Sequence, residues 1–137
     1  MTTLAATLDM MRRRRDFVAA ANSGVKIGGP LVALQMNDRG AEQDKPRVGF
    51  TATKRVGNSV ERSRMKRRLR EAARAALGKD ARPGCDYVLI ARRAVLDANF
   101  DRLTRDIAQA AKRAHGRAGG EADKARPDRA RPRESGR

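Results

Sequence analysis

Residues 54–74 carry nine Lys and Arg side chains against two carboxylates, and any fold of this chain must be built around that charge. The segment still has an apolar stripe. Met65, Leu69, Ala72, Ala73, Ala76 and Leu77 recur at helical spacing, so one side can bury. Asn58 stands at the N-cap position with Glu61 three residues on, an Asn variant of the capping box. Gly78 is placed to end the helix in the left-handed conformation. At about 100° per residue, Ser63, Arg67, Arg70 and Arg74 gather opposite Met65. The fold must therefore give this helix an apolar bed and leave its far side open. A polyanion is the partner that would relieve the self-repulsion of that side.

The whole chain has the same bias. Thirty-two Lys and Arg against 16 Asp and Glu give +16 on 137 residues, which suits phosphate backbones and steep salt dependence. No apolar run approaches the roughly 20 residues that span a bilayer. Residues 1–11 are mildly apolar, but their basic run follows the apolar part, the wrong order for a secretory signal. The expectation is a cytoplasmic protein with no membrane partner. Cys85 is the one cysteine and His115 the one histidine, so neither an internal disulfide nor a metal cluster is expected. Cys85 reads as a small semi-buried thiol and His115 as an exposed imidazole at a helix end. There is no nucleophile–base pair and no phosphate-binding Gly-rich loop with Lys-Ser/Thr. The chain reads as a binder, with no catalytic residues of its own.

One domain of about 105 residues is expected at 11–115, between a flexible N-terminus at 1–10 and a disordered basic tail at 116–137. The tail has no Leu, Ile, Val, Met or aromatic residue to offset the entropy of ordering it. Within the domain, Arg12 to Arg15 lead into a short helix ending near Asn22, Ser23 and Gly24. Residues 25–36 read as one extended segment, bent at Gly28, Gly29 and Pro30. Residues 47–53 read as a second strand, its antiparallel neighbour. Residues 87–91 are apolar on both faces and read as a buried central strand. A final helix starts near Asn99, with Phe100, Leu103, Ile107, Ala110, Ala111 and Ala114 on one stripe. The fold class is α+β, one sheet backed by helices.

These residues resemble a known family. The match begins at Arg12 to Phe17 and Gly24, strengthens through residues 47–60, and peaks at Arg62, Ser63, Arg64, Met65, Lys66, Arg67, Arg68, Leu69, Arg70 and Glu71. It ends with Gly84, residues 86–92 and the Phe100 helix. Over residues 10–113 the chain is similar to the protein subunit of bacterial ribonuclease P.

The resemblance implies a single two-layer, ribosomal-protein-like domain with a mixed four-stranded sheet. It also implies a left-handed β-α-β crossover through the basic helix, against the usual hand. That fold is shared with a small-subunit ribosomal protein domain and a domain of a translocating elongation factor, so function must come from the site. The implied partners are the ribonuclease P catalytic RNA and the single-stranded 5′ leader of precursor tRNA, with no obligate protein partner. Arg62, Ser63, Arg64, Lys66, Arg67, Arg68 and Arg70 would meet the RNA subunit. Phe17, Lys54 and Arg55 would line or approach the leader cleft. Mg2+ would be held mainly by the RNA, which cleaves the leader, while the protein raises substrate and metal affinity and is inactive alone. Ser63 stands where the family usually has Asn. Ala21 and Gln35 stand where it often has aromatic residues facing the leader.

Two other classes remain. One is a ribosome-associated or nucleoid-binding basic protein without a role in cleavage. The other is a basic amphipathic helix that binds a membrane or an acidic protein.

Overall fold

The computed structural model describes residues 8–41 and 43–124. Strands β1 (Asp9–Met10), β2 (Val25–Ile27), β3 (Val32–Asp38), β4 (Arg47–Thr51) and β5 (Cys85–Ala91) form one sheet in the order β1-β4-β5-β3-β2. Three helices accompany it: α1 (Arg14–Ser23), the basic helix α2 (Ser59–Leu77), and α3 (Phe100–Lys124). The fold is α+β with a mixed sheet of five strands, one more than the resemblance implies.

Relative to the three extended segments read from the sequence, the two further strands come from two places. Residues 25–36 form a hairpin, with Val25 opposite Met36 and Ile27 opposite Leu34. The bend expected at Gly28, Gly29 and Pro30 is therefore a complete reversal of the chain. Asp106 of α3 holds it, accepting the Leu31 and Val32 N–H groups at 3.1 and 3.2 Å. The second addition is β1, a two-residue edge strand parallel to β4. It orders part of the N-terminus expected to be loose; residues 1–7 lie outside the described residues.

The expected pairing of the 25–36 and 47–53 segments is also corrected. β5 lies between β3 and β4, antiparallel to the first and parallel to the second. The strand that is apolar on both faces takes the centre, where both faces are covered, and this displaces β4 from the hairpin. The basic helix α2 is the crossover between parallel β4 and β5.

Side chains alternate across the sheet. Val32, Leu34, Met36, Val48, Tyr87 and Leu89 point to the side covered by α2 and α3, and join Met65, Leu69, Leu77, Leu103 and Ile107 in the main core. A smaller cluster of Met11, Ala20 and Val88, with Phe17 and Ile90 at its margin, lies on the α1 side. The sheet thus has helices on both faces, two on one and a short one on the other.

Helix ends follow the sequence in part. Asn58 Oδ1 accepts the Glu61 N–H at 2.8 Å, and the Glu61 carboxylate accepts the Asn58 N–H at 3.0 Å, which completes the capping box. Asn99 caps α3 by accepting the Asp101 N–H at 2.8 Å. Gly78 keeps right-handed helical angles instead of the expected left-handed ones. The left-handed residue of this connection is Gly84, with φ +77°, where a Cβ would meet the Ala41 carbonyl at 2.6 Å.

The tail expected to be disordered from Gly116 continues as helix to Lys124, and residues 125–137 lie outside the described residues. Extending an existing helix adds a hydrogen bond per residue without a new nucleus, so large apolar side chains are not required. Ala118 packs against the core margin, and Arg117 donates to the Lys26 carbonyl at 2.7 Å. Arg113 donates to the Gly28 carbonyl at 3.4 Å, so α3 occupies acceptors along the exposed β2 edge.

Among the described residues Asp86 is the one buried charged side chain, and through Arg47 it ties α1 to the sheet. It accepts from Arg47 Nε and Nη2, both at 2.8 Å, and from Arg39 Nε at 2.9 Å. Arg47 reaches on to Asp16 of α1 at 3.3 Å. Hydrogen bonds to Asp86 hold the Arg47 guanidinium above its already high ordinary pKa. Removing one partner of a buried pair costs about 3–5 kcal/mol, and because both arginines still reach water the lower end applies. Asp86→Ala should therefore lower stability by about 3 kcal/mol in denaturant titration. A loss below roughly 1 kcal/mol would show that the network is replaceable.

Candidate nucleic-acid interface

The α2 side chains divide into two groups. Met65 and Leu69 are fully buried, while Ser63, Arg64, Lys66, Arg67 and Arg70 are exposed, as the helical spacing requires. Ser63, Arg64 and Arg67 line a shallow depression of about 300 Å³ with Ser59 and Val60. Val60 is 69% exposed, an apolar spot within this cationic surface. Arg62 is half-buried, with Nε donating to the Gly57 carbonyl at 3.2 Å. Its two terminal nitrogens lie beside the exposed group and make no hydrogen bond among the described residues.

Arg68 differs from its neighbours. Its guanidinium donates to the Val95 and Leu96 carbonyls, both at 2.9 Å, and to the Ala98 carbonyl. It closes the end of the 3-10 turn Arg93–Leu96, whose carbonyls would otherwise lack donors. The expected outward role of Arg68 is corrected: it is a brace between α2 and the turn before α3. The signal was available, since Arg68 falls only about 60° from Met65 around the helix.

Glu61 joins a second brace, accepting from Arg93 Nη1 and Nη2 at 3.0 and 2.8 Å. The Arg93 hydrogen bonds, with the Asn58 N–H, push its carboxyl down to about 2. The acid nearest the start of α2 is thereby neutralised locally, and the basic surface beyond it keeps its sign.

The other face of the sheet is organised in rows set by strand register. Gly49, Val88 and Gln35 form one row, and Thr51, Ile90 and Ala33 the next. Phe17 of α1 lies over the first row. A Cβ on Gly49 would come within 2.6 Å of its ring, so only glycine lets the ring approach this closely. The second row, Thr51, Ile90 and Ala33, is only half-buried and forms an open strip beside α1. The chain leaves this strip at Thr51 and turns through Lys54–Val56, where Lys54 and Arg55 are exposed. Phe17 therefore lies on the α1 side of the sheet, and Lys54 and Arg55 project into solvent from the turn that follows β4.

Cys85 is buried, and burial pushes its thiol up. His115 is half-buried, not the exposed imidazole expected. Its Nε2 lies 2.7 Å from the Tyr87 hydroxyl, which accepts the Arg82 N–H at 2.8 Å. Burial, followed by the charge of Arg82, holds His115 below its ordinary pKa. Among the described residues no three His, Cys, Asp or Glu side chains cluster as metal ligands, and no helix is long and apolar enough to cross a membrane.

A small α+β domain with a cationic helix on one face of its sheet and a phenyl ring laid on the other has the features of a nucleic-acid-binding module. Residues 6–115 match the Ribonuclease P family. The ribonuclease P protein component of Brucella suis is 42% identical over 106 residues, covering 72% of this chain and 74% of that protein. The Ruegeria pomeroyi component is 41% identical over 109 residues, covering 79% and 87%. The ribonuclease P protein from Thermotoga maritima superposes with a TM-score of 0.65 at 24% identity, covering 77% of this chain and 96% of that one. The chain belongs to the ribonuclease P protein family. That membership places it with ribonuclease P, the endonuclease of tRNA processing.

Proposed function

We propose that this chain binds the ribonuclease P RNA through the outward side of α2 and the precursor tRNA 5′ leader through the groove between α1 and the sheet. The observation that carries this reading is the division of polar chemistry between two faces. Arg64, Lys66, Arg67 and Arg70 make no hydrogen bond or salt bridge among the described residues, with Arg62 and Ser63 beside them. Phe17 lies on the opposite side of the sheet, and Lys54 and Arg55 are exposed on the turn that follows β4. One side suits phosphates of a folded RNA, the other a single strand with a base laid on a ring.

The RNA carries the cleavage chemistry and holds most of the Mg2+. The protein raises substrate and metal affinity by screening phosphate repulsion where the two RNAs meet. It acts in the cytoplasm, as part of the ribonucleoprotein. A ribosome-associated or nucleoid-binding role fits the charge alone, but gives no reason for an aromatic ring over a glycine beside an open strip of sheet.

Phe17→Leu tests the groove, because it keeps an apolar contact on Gly49 and removes the stacking ring. A stacked base contributes roughly 1–3 kcal/mol, so KM for leader-bearing precursor should rise about tenfold while mature tRNA binding stays unchanged. Equal weakening of both RNAs would refute leader binding at this groove.

A further inference from the structure

A second cavity, of about 450 Å³, opens on the flank of α2, where the helix passes the β1–β4 edge of the sheet. This is within the size range of small-molecule sites, roughly 300–1,000 Å³. Leu8, Met10, Val48, Phe50 and Ala73 supply apolar walls; Arg70 and Arg74 stand over it from the helix, and Asp9 from the edge strand. It lies on the α2 side of the sheet, since Val48 and Phe50 alternate with Gly49, which faces Phe17. It is therefore separate from the α1 groove.

The chemistry of the walls selects an occupant. A partly buried phenyl ring and apolar side chains favour a flat, uncharged ring over a phosphate. The Asp9 carboxylate further repels an anion at the wall, and among the described residues only one of its oxygens is engaged, accepting the Met10 N–H at 3.1 Å. The other oxygen can accept from an exocyclic amine. Arg70 has no partner among the described residues, and Arg74 meets only the exposed Glu71 at 3.2 Å. Both belong to the outward row that begins at Ser63 and Arg67. A strand whose phosphates follow this row would carry its bases past the mouth of the cavity.

We infer that the cavity receives one unpaired, amine-bearing base, adenine or cytosine, turned out of the RNA that docks on α2. Arg70 and Arg74 hold the flanking phosphates, Phe50 and Met10 contact the ring, and Asp9 accepts from its amine. This site gives the docking surface a means of selecting an RNA by one looped-out base, which a row of arginines lacks. The inference rests on the proposed docking of ribonuclease P RNA on α2.

The test uses the full chain and the ribonuclease P RNA of the same organism, probed with dimethyl sulfate, which modifies unpaired adenine and cytosine. Ala73→Leu fills the cavity from the helix side and Phe50→Leu removes the ring; thermal melting confirms that each variant is folded. With wild-type protein one unpaired adenine or cytosine should become protected. It should regain reactivity with either variant, affinity should fall about tenfold, and the salt slope should be unchanged. Methyl resonances of Met10 and Ala73 should also shift on RNA binding. Tight binding with no variant-dependent protection and unmoved methyl resonances would overturn the base site and leave docking on α2 intact. Failure of wild-type protein to bind the RNA would refute both.

Discussion

Met65→Asp should leave the chain unfolded at neutral pH. Met65 is fully buried beneath α2, between the sheet and α3, and every neighbouring position of the stripe is buried with it. Burying a side chain of this size contributes roughly 1.5–3 kcal/mol. Replacing it by a carboxylate loses that contribution and adds an unpaired charge in an apolar core, a cost of several kcal/mol more. The total approaches the whole stability of a small domain, about 5–15 kcal/mol. The check is circular dichroism with thermal melting. A cooperative transition within a few degrees of wild type would mean that the stripe is not the bed of the helix.

Arg67→Glu with Arg70→Glu should do the reverse, keeping the fold and destroying RNA affinity. Both side chains are exposed, and substitutions at such positions usually stay within about 0.5 kcal/mol. Each lost phosphate contact removes about 0.7–0.9 from the slope of log affinity against log salt, so the double variant should lose about 1.4–1.8. A like charge facing a phosphate costs several kcal/mol, which places the loss on the order of 100-fold or more at low salt. Filter binding across a salt series would measure both quantities. Normal affinity and slope would remove α2 as the docking face.

The contrast between these variants is the part of the structure most legible in the sequence. Helical spacing separated the buried Met65 stripe from Arg67 and Arg70 because period and polarity agree over five turns of α2. The capping box was readable for the same reason: its two partners lie three residues apart. What the sequence hid were relations between distant segments. Nothing local tells Val48 that Tyr87, not the 25–36 segment, is its neighbour. Nor does anything local mark Arg68 as the donor for the Val95, Leu96 and Ala98 carbonyls some thirty residues on. Exposure of an arginine follows from helix phase, but its engagement depends on which orphan carbonyls the fold brings beside it. The cavity over Phe50 was hidden likewise, because its Leu8, Asp9 and Met10 wall comes from a segment too short and too weakly patterned to read as a strand.

The central claim is that this chain is an affinity device for an RNA that cleaves. The direct test is processing of a precursor tRNA with a 5′ leader by separately prepared ribonuclease P RNA at low magnesium, with RNA alone, protein alone, and both together. The account predicts no cleavage by protein alone, weak cleavage by RNA alone, and strong stimulation when both are present, declining as magnesium is raised. Leader removal by the RNA-free protein would contradict it, and so would a cognate RNA whose cleavage the protein leaves unchanged at every magnesium concentration.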